Sequence, residues 1–255
     1  MIRSLFCFLL LYIPTRSTTG AVNDPVIRVA IARNTGQFKL NTSAGVFLLE
    51  IKTGQKFQLL EKSLYEIRYL GPSRLAVAGQ ILGSPVKIMA TDGGDTVKMN
   101  GRFYKGDIYL TATATERLEV VEHLSVEDYL CGVLPAEMSP DWPLEALKAQ
   151  AVASRTYALK KIDPRKNYDM TDGVDTQVYK GVSGMSANIT EAVNSTRGEV
   201  LEYKGRLVTA FFHACCGGHT AAASSAWGEE VVKPLYGVAD PFCSTSTHYR
   251  WGFYA

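Results

Sequence analysis

Glu137 is the first residue whose type and setting suit catalysis. It stands between Pro135 and Pro140, and the restricted backbone of the two prolines would hold its carboxyl group in one direction. A carboxyl group held in this way can donate a proton to a leaving oxygen when its pKa is raised. An isolated Glu ahead of a helix is also commonly a solvated residue or a partner of the helix dipole, so the sequence leaves both interpretations open.

A second group of reactive residue types lies late in the chain, where His213, Cys215, Cys216 and His219 are followed by Cys243. The spacing H-x-C-C-x-x-H matches no standard zinc motif. A nucleophilic thiol such as Cys216 beside His213 needs an electropositive pocket, which a sequence does not display. We therefore favour a disulfide between Cys243 and either Cys215 or Cys216, and we predict neither a metal nor a cofactor.

Three aspartates, Asp169, Asp172 and Asp175, lie in the polar, Gly-containing stretch at residues 167–184. Their spacing lacks the alternating acidic positions of a calcium-binding EF-hand loop. The sequence therefore predicts solvated loop aspartates.

The Ala-rich stretch at residues 142–161 predicts a long helix that would position these groups. Asp141 is the expected cap, and Pro143 fits the first turn, where a missing N–H costs nothing. Lys160 and Lys161 would interact favourably with the carboxyl end of the helix dipole.

Arg155 falls within the apolar stripe of this predicted helix rather than on its polar side. A guanidinium there either extends past Leu144 to solvent or pairs with a carboxylate or a ligand, since burying an unpaired charge costs several kcal/mol. We favour the pair. The stripe consists of Leu144, Leu147, Ala151, Val152, Ala158 and Leu159.

The two parts of the chain differ in pattern. Residues 26–121 alternate apolar and polar positions between turn signals, as β-strands do, and Asn100-Gly101 is the clearest hairpin signal. After His123 the pattern changes: a short apolar stretch at residues 126–134 is broken by residues 135–140, and the long Ala-rich stretch follows. A further helix is expected at 187–197, ending at Gly198, followed by a hairpin of residues 199–203 and 206–212 around Lys204-Gly205.

These patterns predict an α+β fold. A β-rich amino-terminal domain would occupy residues 21–123, and a mixed α/β core with one long Ala-rich helix would occupy residues 124–255. The composition, with 46% hydrophobic and 20% charged residues among 255, is that of a folded globular protein. The formal net charge of +2, without a basic block beyond Lys160 and Lys161, argues against nucleic-acid binding.

The amino terminus has the form of an export signal. Arg3 precedes an apolar run at residues 4–13, which is too short to span a membrane, and small polar residues follow as far as Gly20. We predict a cleaved signal peptide at residues 1–20 and an exported protein, periplasmic or extracellular. Removing Arg3 and Arg16 would leave 25 basic and 25 acidic residues, because the segment contains no Asp or Glu.

Several motifs resemble the SpoIID/LytB family of bacterial wall proteins, whose type member is the stage II sporulation protein D. They are S-V-E-D-Y-L-C-G-V-L-P-A-E-M at residues 125–138, A-S-R-T-Y-A at 153–158, Q-V-Y-K-G at 177–181, T-R-G-E-V-L at 196–201, C-G-G-H-T at 216–220, Trp227, and Pro234-Leu235 to Asp240. The resemblance covers about residues 124–251.

The resemblance implies a lytic transglycosylase that acts on the glycan strands of peptidoglycan, especially strands without stem peptides. Glu137 would be the catalytic acid and base, and Arg155 would lie in the active-site groove. One carboxyl group suffices because the 6-hydroxyl of the sugar is the nucleophile, whereas an ordinary glycosidase needs two. Candidates for lining the groove are Tyr157, Gln177, Tyr179 and His219.

An alternative role follows from the LytB side of the family: a non-catalytic protein that binds the wall and enhances a partner amidase. The chain also departs from the family pattern. Some members carry Cys and His zinc ligands before the Q-x-Y motif, but residues 168–176 contain neither, so zinc is not inferred there. Members usually continue beyond the position of Trp251, which predicts a shortened member or a fragment.

Overall fold

The fold is α+β, as predicted. The computed structural model describes residues 15–16, 24–42, 45–90, 96–114, 117–228 and 232–250. Except for Thr15 and Arg16, the predicted signal peptide lies outside these residues, and export stays a prediction. Among the helices that the structure describes, none is both long and apolar enough to cross a membrane.

Most of the described strands form two large sheets, in which all pairs are antiparallel except the parallel pair of β14 and β2. In chain order the strands are β1 (Thr15–Arg16), β2 (Val26–Thr35), β3 (Gln37–Thr42), β4 (Val46–Glu50), β5 (Lys56–Leu59), β6 (Ser63–Gly71), β7 (Arg74–Val77), β8 (Gln80–Gly83), β9 (Val86–Ala90), β10 (Val97–Met99), β11 (Arg102–Tyr104), β12 (Asp107–Ala112), β13 (Leu118–Ser125), β14 (Met170–Thr171), β15 (Val200–Tyr203) and β16 (Arg206–Leu207). One sheet has the order β11-β10-β3-β6-β7-β8, the other β14-β2-β13-β12-β9-β4-β5, and a small third sheet has β1-β15-β16.

The predicted hairpins at Asn100-Gly101 and Lys204-Gly205 are confirmed. Both residues of each turn have positive φ, 47° and 82° in the first and 51° and 72° in the second. These are the conformations that a two-residue turn between antiparallel strands requires. The second hairpin is shorter than predicted, because its returning strand β16 ends at Leu207.

The described helices are α1 (Val126–Glu137), α2 (Leu144–Lys161), α3 (Ala187–Ser195) and the short α4 (Ala223–Trp227), with 3-10 turns at Lys233–Leu235 and Pro241–Thr245. Helix α1 follows directly from strand β13. Its cap is Ser125, whose Oγ accepts a hydrogen bond from the Asp128 N–H at 3.0 Å. Strand β13 therefore determines where α1 begins.

One expectation about helix ends is confirmed and one is wrong. Helix α1 ends within the predicted break at residues 135–140, but it includes Pro135, and Glu137 is its last residue. Pro135 cannot make the N–H bond to residue 131 that another residue would make, yet the helix continues past it, and the N–H of Met138 bonds to the Leu134 carbonyl at 2.8 Å. Helix α2 is not capped by Asp141, because it begins after Pro143, which has no side-chain cap bond.

The hydrophobic core draws on both parts of the chain. One cluster joins inward-facing residues of the two large sheets to Tyr129, Val133, Tyr157 and Tyr179 from the helical part. A second cluster lies between α1, α2 and α3 and includes Cys131. The division at residue 123 is not tested by this packing and stays a prediction.

Arg155 lies where these three helices meet, and it is completely buried. Its Nε and Nη2 donate to the two carboxylate oxygens of Glu127 at 2.8 and 2.6 Å. Further donors reach the backbone carbonyls of Val193 and Glu199, both at 3.2 Å. The predicted pairing with a carboxylate is confirmed, and the bidentate geometry explains how a charge on the inward face of α2 is accommodated.

Replacing Glu127 by Gln is expected to lower the free energy of unfolding by about 3–5 kcal/mol, because the Arg155 charge would stay buried without its counter-charge. Urea denaturation of both proteins measures the change. The control is Glu145→Gln, since Glu145 is 82% exposed in its pair with Lys148. That variant should stay within about 0.5 kcal/mol of the wild type. Equal losses in the two variants would contradict a stabilising role of the buried pair.

Candidate active site at the end of helix α1

Glu137 is half-buried at the carboxyl end of α1. Its Oε1 accepts a hydrogen bond from the backbone N–H of Val178 at 3.3 Å. Burial raises the pKa of Glu137 above its usual value, and the Val178 N–H offsets part of this effect. The carboxyl group is therefore held by a backbone donor while its protonated form is favoured, which suits a general acid.

The segment at residues 177–181 that supplies this N–H is packed directly on α1. A Cβ atom at Gly132 of α1 would lie 2.4 Å from Cε2 of Tyr179 and 2.6 Å from the Gly181 carbonyl oxygen. Only glycine permits this approach. The close contact fixes the distance between the segment and the helix that carries Glu137.

Two side chains of the same segment are anchored in the interior. The hydroxyl of Tyr129 donates to Oε1 of Gln177 at 3.2 Å, and Nε2 of Gln177 donates to the Ser154 carbonyl at 3.5 Å. The hydroxyl of Tyr179 donates to Oε2 of Glu122 at 2.7 Å. Both Gln177 and Tyr179 are buried, so the structure places them behind Val178 as supports rather than on a groove surface.

Glu122 was missed by the sequence reasoning. It is buried in strand β13, where its Oε1 also accepts from the Gly106 N–H at 2.8 Å. Burial raises the pKa of Glu122 to about 7, although its hydrogen bonds oppose the shift. A pattern in the sequence could have revealed its burial. In a strand every second side chain lies on the same face, and this places Glu122 on the face of the buried Leu118, Val120 and Leu124.

Arg155 is not part of this surface. The described donors of its guanidinium are engaged with Glu127 and with atoms around the end of α3, and the side chain is completely buried. The expectation that it lies in a groove conflicts with this burial. The physical reason is that a bidentate carboxylate partner is available in the first turn of α1.

The remaining candidates for lining a groove differ in exposure. Tyr157 is buried, and its ring meets the edge of the Phe211 ring with 6.1 Å between centroids. Phe211 in turn stacks on Trp227 at 4.2 Å with an angle of 6°. Trp227 is 58% exposed, so it forms the accessible end of this aromatic series. His219 is exposed, and its Nδ1 is 2.7 Å from the Thr220 carbonyl oxygen.

The cysteines lie in different environments. Cys216 and Cys243 have their sulfur atoms 3.3 Å apart, and both thiols are free. Cys131 lies instead in the helical cluster. Burial, Asp240 and Cys243 raise the pKa of the Cys216 thiol to about 12. This environment is the opposite of one that activates a thiol nucleophile, which argues against a hydrolase using Cys216 and His213.

The three loop aspartates have partners in the protein, so the prediction of solvated side chains is wrong for Asp169. This residue is buried and forms an ion pair with Arg28 at 2.7 Å. Asp172 pairs with Arg102 at 3.1 Å, and Asp175 accepts from the Thr171 hydroxyl at 2.6 Å. These contacts tie the loop ahead of residues 177–181 to the strands.

The region that contains Glu137 is similar to known proteins. Residues 114–203 match the family model described as SpoIID, stage II sporulation protein. An uncharacterized protein of Brachyspira hyodysenteriae is 44% identical over 153 residues, which cover 59% of this chain and 41% of that protein.

Two further relatives have names that state a role. The amidase enhancer of Bacillus subtilis is 43% identical over 102 residues, which cover 40% of this chain and 14% of that protein. The stage II sporulation protein D of the same organism is 29% identical over 178 residues, which cover 63% of this chain and 50% of that protein. The chain thus spans half or less of the length of these curated relatives.

The raised pKa of Glu122 predicts a pH-dependent stability. The unfolded chain releases this proton near pH 4.5 and the folded chain near pH 7, so the proton stabilises the fold at low pH. This contribution is lost as the pH rises through that interval. The free energy of unfolding of the wild type, relative to Glu122→Gln, should fall by about 2–3 kcal/mol between about pH 5 and about pH 8.

Glutamine is a suitable comparison because its carbonyl oxygen can accept from Gly106 while its amide donates to the Tyr179 hydroxyl, as a protonated Glu122 would. Urea denaturation of both proteins at the two pH values gives the difference. A constant difference between wild type and variant would show that Glu122 does not change its charge in this interval.

Proposed function

Because residues 114–203 belong to the SpoIID family, we propose that this protein is an exported lytic transglycosylase that cleaves peptidoglycan glycan strands, with Glu137 as its single acid and base. The family supports a role at the cell wall. The observation that carries the finer proposal is the half-buried Glu137 carboxyl, whose pKa is raised while a backbone N–H holds it in place.

The reaction requires a proton to move twice through one carboxyl group. Protonated Glu137 would donate to the glycosidic oxygen as the bond between that oxygen and the anomeric carbon breaks. The resulting carboxylate would then accept the proton of the sugar's 6-hydroxyl as that oxygen bonds to the anomeric carbon. No water is consumed, the products are a 1,6-anhydro end and a new hydroxyl end, and Glu137 is protonated again.

The surrounding residues support this role by positioning. Gln177 and Tyr179 anchor the segment whose Val178 N–H holds the Glu137 carboxyl. Arg155 stabilises the packing of α1 against α2 and α3 rather than touching the sugar. Trp227 offers an exposed indole face, a flat amphipathic surface on which part of a sugar ring could pack.

A second role is suggested by the similarity to the amidase enhancer of Bacillus subtilis. In that case the chain would bind the wall and stimulate a partner amidase without breaking the glycan. The two roles differ in whether the Glu137 carboxyl is needed. A glycan-binding enhancer should work equally well with an uncharged residue at this position.

Replacing Glu137 by Gln should abolish the formation of 1,6-anhydro ends, because an amide can neither donate nor accept the proton at the pH of the reaction. Purified protein is incubated with glycan strands lacking stem peptides, and mass spectrometry detects the anhydro products. Sedimentation with insoluble glycan measures binding, which should persist in the variant. The matched control is the exposed Glu145→Gln, which should retain wild-type turnover.

Absence of anhydro products from a wild type that binds glycan would refute the transglycosylase proposal. Stimulation of an added amidase by both the wild type and Glu137→Gln would then support the enhancer role. Equal turnover by the wild type and Glu137→Gln would show that another group is the acid.

The pKa shift of Glu137 also predicts the pH dependence of turnover. Since the protonated form starts the reaction and burial raises its pKa, kcat/KM should fall with rising pH only above the ordinary Glu pKa of about 4.3. Initial rates at substrate concentrations well below KM, measured across the pH range, give this limb. The limb should persist in Glu122→Gln; if it disappears there, Glu122 rather than Glu137 controls the pH dependence.

A further inference from the structure

We propose that Cys216, Asp240 and Cys243 form a binding site for a soft divalent cation such as Zn²⁺. The proposal does not depend on the glycan reaction. It concerns a cluster that lies outside the Glu137 site and is built by two segments far apart in sequence.

The three side chains converge on a small triangle of ligand atoms. Sγ of Cys216 lies 3.1 Å from Oδ2 of Asp240 and 3.3 Å from Sγ of Cys243, and the same carboxylate oxygen lies 3.5 Å from Sγ of Cys243. An ion at about 2.0–2.3 Å from each atom would fit just above the plane of such a triangle. Among the described residues, this is the group whose Cys, His, Asp or Glu atoms approach one another closely enough to share an ion.

The backbone around the cluster holds the ligands in place. The Gly218 N–H donates to Sγ of Cys216 at 3.4 Å, which fixes the direction of the sulfur atom. The Asp240 N–H donates to the Gly218 carbonyl at 2.9 Å, which joins the two segments, and Oδ1 of Asp240 accepts from the Phe242 N–H at 3.0 Å. This last bond leaves Oδ2 directed toward the sulfur atoms. Asp240 and Cys243 are each only 1% exposed.

The turn at Gly217 and Gly218 makes this approach possible. Their φ values of 68° and 102° are ones that other residues adopt only with strain. A Cβ at Gly218 would also lie 3.0 Å from the Tyr249 hydroxyl oxygen. The loop is therefore shaped to bring the Cys216 sulfur to the Asp240 carboxylate.

The donor set selects the kind of ion. Two thiolates and a carboxylate suit zinc, whereas calcium and magnesium prefer oxygen ligands in larger number. The three negative charges exceed the charge of the ion by one, and a water molecule would complete a tetrahedral arrangement. Bound zinc would link residues 216–218 to residues 240–243 and stabilise both segments. A Cys216–Cys243 disulfide would use the same sulfur atoms and exclude the ion, so the two states are alternatives.

The neighbouring cysteine provides a matched control. Full-length protein, reduced and kept without oxygen, is titrated with Zn²⁺ against a chromophoric chelator. We expect one Zn²⁺ per chain, a loss of affinity of at least about 100-fold in Cys216→Ser and Cys243→Ser, and about 10-fold or more in Asp240→Asn. Cys215→Ser should bind as the wild type does, because the Cys215 sulfur is not part of the triangle. Circular dichroism identifies any variant that does not fold.

Two readouts on the wild type keep the test independent of the variants. Co²⁺ in place of Zn²⁺ should produce a charge-transfer absorption with the intensity of two thiolate ligands. Zn²⁺ should also protect Cys216 and Cys243, but not Cys215, from alkylation by iodoacetamide, as peptide mass spectrometry can show. Absence of stoichiometric Zn²⁺ in the reduced protein, equal losses in Cys215→Ser and Cys216→Ser, or a Cys216–Cys243 disulfide that forms equally fast with Zn²⁺ present would each overturn the proposal.

Discussion

The bidentate ion pair between Arg155 and Glu127 determines how the three main helices meet. Burying either charge alone would cost several kcal/mol, so α2 can place Arg155 inward only if α1 presents Glu127 at the right point of its first turn. The remaining guanidinium donors satisfy carbonyl groups around the end of α3, where a helix leaves such acceptors free. Arg155 lies in a motif whose family resemblance implied an active-site role, but its contacts here are packing contacts. They hold α1, the helix that ends in Glu137, against α2 and α3.

A second constraint fixes the other side of the site. Strand β13 continues without a loop into α1, so Glu122 on the strand and Glu137 at the helix end belong to one rigid stretch of chain. Tyr179 reaches back from the segment at residues 177–181 to Glu122, and Gly132 allows its ring to lie against the helix. The Val178 N–H that contacts Glu137 is therefore positioned by the hydrogen bonds that the buried side chains of Gln177 and Tyr179 make on either side of it.

The local structure of this arrangement could be predicted from the sequence, but its tertiary contacts could not. Local patterns sufficed for the strands of the amino-terminal part, the turn at Asn100-Gly101 and the inward direction of Arg155. The partner of Arg155 could not be predicted, because Glu127 is one of several acidic residues and only tertiary packing selects it. A break at residues 135–140 was expected, but local propensity did not show that helix α1 continues through Pro135 to Glu137. Gln177 and Tyr179 were predicted to line a groove, but the sequence could not show that both side chains are buried.

Of the two carboxyl groups with raised pKa values, only Glu137 is accessible enough for the proposed role in cleaving a polymer. Burial shifts both Glu122 and Glu137 toward the protonated form. Glu122, however, is fully enclosed, with its oxygen atoms engaged by Gly106 and Tyr179, so no sugar oxygen can approach it. Glu137 combines the same type of shift with partial exposure at a helix end. In the proposed reaction a polysaccharide would bind from outside, so a single acid and base has to combine enough desolvation to raise its pKa with enough exposure to transfer a proton.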